Sequence, residues 1–233
     1  MASRSHTREQ SLGVLGGTFN PPHLGHLAVA RHARQELGLE RVLLVPTHTA
    51  PYKSSGLGTA ADDPGPQHRL RMCQLAVIDE HGLAVSAVEV ERGGLSYTVD
   101  TLRSIHATHP HAQLTFIVGA DTASTLGSWR EPQQLLELAQ LAVATRDGTA
   151  RQRVLDALDA AQSTAAGGDS DGSSHASTGE SVRFLQMPAI EVSSSAVRQR
   201  VAQGEAIDQL VGPAVAGYIA EHGLYRVGVE VNR

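Results

Sequence analysis

The sequence predicts an α/β fold, a Rossmann-like, doubly wound parallel sheet with flanking helices. Short runs rich in Val, Leu and Ile recur along the chain, as expected of strands that are buried on both faces. Segments with helical spacing or loop composition separate these runs. Regular alternation of strand and helix is typical of a parallel sheet with right-handed crossovers.

The predicted strands, in chain order, are residues 12–15, 42–45, 83–88, 114–118, 141–144 and 182–185. Each is a brief apolar run, which favours a buried strand over a helix. The predicted helices, also in chain order, are residues 24–37, 67–80, 97–107, 132–138, 151–162, 196–203 and 213–222. Residues 52–66, rich in Gly, Ser, Asp and Pro, predict a mobile loop after the second strand.

The 233 residues, of which 41% are hydrophobic, suit one globular domain. We expect that domain to span residues 12–225, between a disordered polar leader at 1–11 and a tail at 226–233. An insertion is predicted at about 148–181, because residues 163–181 are mostly Ser, Gly, Ala, Thr and Asp. That run is either a tolerated surface insertion or a binding or regulatory segment.

Charge and cysteine content restrict the possible partners. The net charge is −5 and the 19 basic residues are scattered, which argues against a nucleic-acid binder but allows a small anionic ligand. The single Cys73, expected in the core, excludes an internal disulfide and a cysteine-based zinc site. Without a secretory signal or an apolar stretch of membrane-spanning length, the chain is expected to be cytoplasmic.

The strongest motif lies between the first predicted strand and the first predicted helix. It runs Gly16-Gly17-Thr18-Phe19-Asn20-Pro21-Pro22-His23-Leu24-Gly25-His26. Adjacent glycines let the backbone turn and let a phosphate approach main-chain N–H groups, while the dipole of the following helix attracts anions. In open α/β sheets the ligand crevice lies at this end of the strands, so the motif predicts a phosphate-containing ligand.

His23 and His26 are three residues apart at the start of a helix and share roughly one face. Both rings could therefore contact the same phosphate oxygens and stabilise developing negative charge. Spacing alone also permits a zinc site or a structural role at the helix start, although no convincing third metal ligand accompanies the pair.

At this motif the sequence resembles the nucleotidyltransferase superfamily, whose signature is a glycine pair, a Thr-Phe turn and an HxGH motif. The resemblance implies that His23 and His26 contact the phosphates of ATP and stabilise the transition state as the α-phosphate transfers. By itself HxGH does not identify the acceptor.

Further matches from residue 12 to about 225 resemble bacterial nicotinate-nucleotide adenylyltransferases. They include Ser96-Tyr97-Thr98-Val99-Asp100-Thr101-Leu102, Gly119-Ala120-Asp121 and Ser128-Trp129-Arg130. The resemblance implies that Thr98, with main-chain N–H groups near Tyr97 and Arg130, receives the nicotinate carboxylate, and that Trp129 stacks on the pyridine ring. A lone Trp could instead pack in the core, and Tyr97 could be packing at a helix start.

The same resemblance assigns ATP-binding residues to later parts of the chain. Gly119 and Asp121 follow a strand, and Asp121 is either a ribose ligand, an N-cap, or both. Ser193-Ser194-Ser195-Ala196-Val197-Arg198 resembles the second phosphate motif of the family, with conservative changes. Its hydroxyls and amides would form an anion site with the planar Arg198 side chain, although the serines could simply cap a helix.

Lys53 follows Thr49-Ala50-Pro51-Tyr52, where the family commonly has Pro-Pro-His before its Lys. The resemblance implies that Lys53 contacts phosphate, whereas a loop lysine on its own is more often solvated. Tyr52 replaces the family histidine, so the resemblance assigns no role to a histidine at this position. Asn20 stands where the family commonly has Asp, which weakens any argument from charge at that position.

The resemblance predicts transfer of the adenylyl group of ATP to nicotinic acid mononucleotide, with His23, His26, Lys53 and Arg198 as catalytic residues. Mg²⁺ is expected on the ATP phosphates and water, so no protein metal ligand is predicted. Alternative acceptors are nicotinamide mononucleotide and phosphopantetheine, although the Ser-Tyr-Thr and Trp129 motifs argue against the latter. A non-catalytic nucleotide-binding regulator is the alternative from another class.

Overall fold

A computed structural model describes residues 11–51, 63–145, 149–163, 182–187 and 192–226. The strands are β1 (Ser11–Gly17), β2 (Arg41–Pro46), β3 (Leu83–Val85), β4 (Gln113–Gly119), β5 (Gln140–Thr145) and β6 (Val182–Gln186). The α-helices are α1 (Leu24–Glu36), α2 (Pro66–Ala76), α3 (Val88–Arg92), α4 (Thr98–Thr108), α5 (Ala120–Ala123), α6 (Pro132–Leu138), α7 (Thr149–Ser163), α8 (Ser194–Ala202), α9 (Asp208–Val211) and α10 (Pro213–Glu221). A 3₁₀ turn spans Leu126–Ser128.

The six strands form one sheet in the order β3-β2-β1-β4-β5-β6, and every neighbouring pair is parallel. The predicted fold class is therefore confirmed. Strand order reverses between β1 and β4, and at such a switch point the loops leave the sheet in opposite directions and open a crevice at the carboxyl ends. The loops after Gly17 and Gly119 both begin at this crevice.

The sheet is apolar on both faces, which explains why its strands appear in the sequence as nearly continuous apolar runs. On one face, Leu12 and Val14 of β1 join a core cluster that includes buried residues of α4, α6 and α7. On the other face, Leu15 joins a cluster that includes Leu27 of α1 and Cys73 of α2. A third cluster packs α8, α9 and α10 against α2 through Met72.

The predicted strand 83–88 is too long. β3 ends at Val85, and Ser86 makes one further bond from its N–H to the Leu44 carbonyl at 2.9 Å. The backbone then turns into α3, where Glu91 N–H donates to the Ala87 carbonyl at 2.8 Å. The helices α5 and α9 and the 3₁₀ turn were also missed, because elements of three or four residues are too short to show a period.

Part of the predicted insertion is a core helix. α7 lies between β5 and β6 in the chain and buries Val154, Leu158 and Ala161. It therefore serves as the crossover that two parallel neighbouring strands require. The low-complexity run from residue 164 onward, the leader at 1–10, loop residues 52–62 and the tail at 227–233 lie outside the described residues.

None of the helices that the structure describes is both long enough and apolar enough to cross a bilayer.

Candidate active site

The glycine-rich motif forms the end of β1 and the turn into α1. The backbone reversal is made by Phe19, with φ at 50°, and not by the glycines as the sequence suggested. Gly17 has another role, since a Cβ there would lie 3.1 Å from the Phe19 ring. Gly16 is exposed at the crevice. Gly17 therefore leaves room for the Phe19 ring, which is buried beside it.

His23 and His26 lie side by side at the start of α1. Their ring centroids are 3.7 Å apart with an interplanar angle of 27°, so the rings are stacked. The His23 backbone N–H donates to Nδ1 of His26 at 3.1 Å, and the Phe19 ring meets His26 edge-on at 4.9 Å. Because Nδ1 accepts this bond, neutral His26 carries its proton on Nε2.

Burial keeps both rings neutral at pH 7. Desolvation lowers the pKa of His23 to about 4. Desolvation and, to a smaller extent, the neighbouring His23 ring together lower the pKa of His26 to about 3. Each neutral imidazole offers one N–H donor, so the pair suits an anionic oxygen without a fixed positive charge.

The second serine-rich motif packs directly on this turn. Ser193 caps α8 by accepting from the Ala196 N–H at 3.1 Å, and Ser194 Oγ donates to the Pro21 carbonyl at 2.8 Å. Arg198 Nη1 donates to the Asn20 carbonyl at 2.8 Å, and its Nη2 lies 3.4 Å from Ser195 Oγ. The structure therefore brings the two predicted phosphate motifs together.

One nitrogen of the Arg198 guanidinium is buried and, within the described chain, unpaired. Its buried Nε has no hydrogen-bond partner among the residues that the structure describes. Arg198 consequently holds the Asn20 carbonyl with one part of its guanidinium while another donor is unused.

Three of the predicted nicotinate residues, Tyr97, Thr98 and Arg130, meet at the start of α4. Tyr97 is the N-cap of this helix and Thr98 its first residue. The Arg130 guanidinium carbon lies 4.8 Å from the Tyr97 ring centroid, and Arg130 Nη1 lies 3.3 Å from Asp100 Oδ2. The segment after the 3₁₀ turn is therefore held against the N-terminus of α4, where the helix dipole favours a carboxylate.

Trp129 is half-buried and packs at the edge of the core, and its stacking on a pyridine ring stays a prediction. Its ring packs edge-on against Phe116 with centroids 5.9 Å apart, and its Nε1–H donates to Thr125 Oγ1 at 2.9 Å. These contacts fix the plane of the indole while leaving part of it accessible. The structure thus holds Trp129 beside the core without burying it completely.

Gly119 ends β4 on the other side of the switch point, and Asp121 lies in the first turn of α5. Gly119, not Asp121, is the N-cap of α5, so the N-cap alternative for Asp121 is wrong. The Asp121 side chain is 96% exposed, and one of its carboxylate oxygen atoms, Oδ1, lies 3.9 Å from Arg153 Nη2. Its carboxylate is therefore accessible for a ribose hydroxyl.

A separate cavity of about 620 Å³ lies at the opposite, amino ends of the strands, where its lining includes Ser11, Gln113 and Gln140. None of the predicted site residues lines it. The cavity at the amino ends and the crevice at the carboxyl ends are thus separate features of the sheet.

Sequence comparison connects this geometry to known proteins. Residues 14–200 match the model of the cytidylyltransferase-like family. Relatives named "Probable nicotinate-nucleotide adenylyltransferase" include proteins from Herpetosiphon aurantiacus, 37% identical over 93% of this chain and 98% of the relative, and Desulfitobacterium hafniense, 36% identical over 93% and 96%. A relative of the same name from Corynebacterium kroppenstedtii is 34% identical over 95% and 94%.

The chain belongs to the nicotinate-nucleotide adenylyltransferase family.

Solved structures share the fold of this nicotinate-nucleotide adenylyltransferase family member at low sequence identity. A Plasmodium falciparum nicotinic acid mononucleotide adenylyltransferase complexed with APC is 15% identical, with a TM-score of 0.65 over 95% of this chain and 100% of that one. The same enzyme complexed with NaAD is 16% identical, with a TM-score of 0.66 over the same shares of the two chains.

Lys53, the remaining predicted catalytic residue of this adenylyltransferase family member, lies outside the described residues together with Tyr52. Its assignment to phosphate stays a prediction.

Two buried charged residues near the site were missed by sequence reasoning. Arg69 on α2 is 1% exposed and donates to backbone carbonyls beyond the ends of β1 and β2. Glu89 on α3 is 5% exposed and accepts from Thr101 Oγ1 at 2.6 Å; burial raises its pKa. For Arg69 a signal existed, because it precedes the buried Met72 and Cys73 by three and four residues and so shares their face of the helix.

Proposed function

We propose that this enzyme transfers the adenylyl group of ATP to nicotinic acid mononucleotide, giving nicotinic acid adenine dinucleotide and pyrophosphate. The observation that carries the proposal is that the HxGH turn and the Tyr97–Arg130 contact lie on loops at the carboxyl edge of one parallel sheet. The names of relatives that cover nearly the whole chain support this acceptor.

The reaction is an in-line displacement at phosphorus. A phosphate oxygen of nicotinic acid mononucleotide forms a bond to the α-phosphorus of ATP, the bond from that phosphorus to the bridging oxygen of the β-phosphate breaks, and pyrophosphate leaves. The attacking phosphate is ionised near neutral pH, so positioning and charge stabilisation supply most of the catalysis and no strong base is needed.

His23, His26 and Arg198 are proposed to bind the phosphates of ATP. The stacked imidazoles present neutral N–H donors, and the Arg198 guanidinium, whose Nε is unpaired within the described chain, adds a positive charge. Gly16, Gly17, Thr18 and Phe19 form the turn along which the nucleotide would lie. Lys53 is proposed as an additional phosphate contact, and Ser193, Ser194 and Ser195 as the start of the second anion site.

Mg²⁺ is proposed to accompany ATP on its phosphate oxygens and water. When bound there, it would neutralise charge on the triphosphate. The donors on the turn, two imidazoles and a guanidinium, suit anionic oxygens better than a hard cation. No protein ligand to the ion is therefore nominated.

Selection of the acceptor is proposed to occur at the start of α4. Thr98 and main-chain N–H groups near Tyr97 and Arg130 would receive the nicotinate carboxylate, with the Trp129 indole stacked on the pyridine ring. Nicotinamide mononucleotide carries an amide in place of the carboxylate, and the NH₂ group of that amide cannot accept hydrogen bonds. The N–H and O–H donors of the site would then be buried without a partner, which disfavours this acceptor. Gly119 and Asp121 would contact the nucleotide on the other side of the crevice.

We propose the cytoplasm as the compartment, where the buried Cys73 stays reduced.

The test is pyrophosphate release from MgATP with nicotinic acid mononucleotide, nicotinamide mononucleotide or phosphopantetheine offered separately. Turnover is expected with the nicotinate nucleotide, and loss of phosphate stabilisation in His26→Ala should lower kcat about 100-fold or more. His32→Ala is the matched control, because His32 lies on the same helix and pairs with Glu36 at 2.7 Å. Retained ATP binding without turnover on any acceptor would indicate a nucleotide-binding regulator instead.

A further inference from the structure

Arg69 is the largest side chain buried almost completely in the described structure, at 1% exposure. Burying a guanidinium is costly unless its charge is compensated and its N–H groups are paired. Here Nε donates to Asp63 Oδ1 at 2.9 Å, which supplies the opposite charge. The remaining donors reach backbone oxygen atoms, so the side chain is held in one orientation.

These backbone contacts connect two separate segments. Nη1 donates to the Thr18 carbonyl at 2.8 Å and to the Thr47 carbonyl at 2.6 Å, and Nη2 donates to the His48 carbonyl at 3.0 Å. Thr18 lies in the turn after β1, whereas the other two residues follow β2. One guanidinium thus ties together the loops at the carboxyl ends of two neighbouring strands.

Each of these segments leads to a different part of the proposed site. Thr18 directly precedes Phe19, whose ring contacts His26. On the other side, His48 N–H donates to Ser96 Oγ at 3.1 Å, and Ser96 N–H donates to the Thr49 carbonyl at 2.9 Å.

Ser96 immediately precedes Tyr97 at the N-cap of α4. Hydrogen bonds therefore connect the turn that precedes the histidines, through Arg69, to Ser96 and Tyr97, which form the loop that leads into α4. We call this segment the acceptor-binding loop, because the nicotinate nucleotide is proposed to bind there.

We propose that Arg69 is a positioning residue that fixes the ATP-binding turn relative to the acceptor-binding loop. The inference rests on the proposed function, and it assigns to Arg69 the alignment of the two substrates. In-line transfer is sensitive to that alignment, because a displacement of about 1 Å can cost on the order of 100-fold in rate. The three nitrogen atoms of the Arg69 guanidinium donate hydrogen bonds to four oxygen atoms. A lysine has a single side-chain nitrogen and therefore cannot reproduce these contacts.

The deciding variant is Arg69→Lys, which keeps the charge. Each half of the site keeps its own internal contacts, so the Kd for nicotinic acid mononucleotide and the Kd for α,β-methylene-ATP should each change less than about threefold, while kcat with both substrates saturating falls about tenfold or more. Arg31→Lys is the matched control, because Arg31 is an exposed arginine that pairs with Glu80 across the surface. It is expected to leave kcat and both Kd values unchanged.

Circular dichroism and thermal unfolding show whether Arg69→Lys is folded, and active-site titration corrects kcat for the folded fraction. A folded variant with wild-type kcat would overturn the inference, as would a loss explained entirely by one weakened Kd. Absence of turnover by the wild-type enzyme would overturn the proposed function, and this inference with it.

If Arg69→Lys does not fold, Ser96→Ala tests the next link, because it removes the oxygen that accepts from His48 N–H. It should lower kcat with little change in either Kd. Unchanged kcat in folded Ser96→Ala would overturn the inference in that case.

Discussion

At the scale of single residues, His23 and His26 make the stability of the enzyme depend on pH. Burial lowers the pKa of both rings, to about 4 and about 3, whereas an unfolded histidine titrates near 6.5. Between those values the unfolded chain binds more protons than the folded one. The free energy of unfolding therefore falls as the pH falls through 6.5, and continues to fall until the folded rings are protonated.

Replacing one ring should remove part of this dependence. By about pH 5 each histidine is expected to have cost the folded state about 2 kcal/mol relative to about pH 7.5. Chemical denaturation at the two pH values should therefore show a smaller acid-induced loss in His26→Gln than in wild type. His106→Gln, which changes an exposed residue of α4, should behave like wild type. An undiminished loss in His26→Gln would contradict the attribution to this ring.

Residues of the candidate active site could be predicted from the sequence where a short motif marks them. The three-residue spacing of His23 and His26 predicted a shared face, and the rings are in fact stacked. The helical spacing of Arg69 from Met72 and Cys73 indicated its burial, but three of its four hydrogen-bond acceptors are backbone carbonyls, which no residue type reveals. Glu89 was missed for a related reason, since its burial depends on how α3 packs beside α4.

At the scale of elements, α7 is a structural part of the sheet's crossover and not a dispensable insertion. Leu158 is fully buried in the cluster formed with β4 and β5. Leu158→Ala is expected to lower the free energy of unfolding by about 2–5 kcal/mol, because it leaves a cavity in a packed core.

Denaturant titration would measure this change. Asp156→Ala is the matched control on the exposed face of the same helix, and it should change stability by less than about 0.5 kcal/mol. Equal effects of the two substitutions would show that α7 does not pack as described.

Longer helices were easier to predict from the sequence than helices of three or four residues. Long strands and helices showed clear apolar patterns, so all six strands were predicted near their observed positions. β3 was extended too far because Val88 continues the apolar character of 83–85, although the chain has already entered the turn to α3. The apolar pattern of one segment carries no information on its neighbour in the sheet. Here the hydrogen bond from Ser86 N–H to the Leu44 carbonyl of β2 lies just beyond the end of β3.

At the scale of the whole molecule, the C-terminal segment closes on the first turn of the chain. Tyr225 OH donates to Asn20 Oδ1 at 2.7 Å across 205 residues of sequence. Burial raises the pKa of Tyr225, so its hydroxyl stays protonated and continues to donate at neutral pH. The doubly wound class was predictable, but this closure and the strand order were not, because both join segments far apart in the sequence.

Tyr225→Phe tests the closure. Loss of one hydrogen bond should lower the free energy of unfolding by about 1 kcal/mol, since the ring still fills its site. Equilibrium denaturation would measure the change. Tyr218→Phe is the comparison variant, because the Tyr218 hydroxyl lies 2.8 Å from Nδ1 of His68 on α2, whereas the Tyr225 hydroxyl bonds to Asn20. If Tyr225→Phe matched wild type, the hydroxyl would contribute nothing to holding the chain end.

The stacked, uncharged histidines also bear on inhibitor design. A ligand that meets neutral N–H donors gains ordinary hydrogen bonds from them, so it does not need a full negative charge at that point. A sulfonyl or sulfamoyl linker, which keeps oxygen acceptors and carries less negative charge, is therefore expected to be accepted in place of the transferred phosphate. Fragment screening against this enzyme would reasonably begin from such uncharged phosphate surrogates.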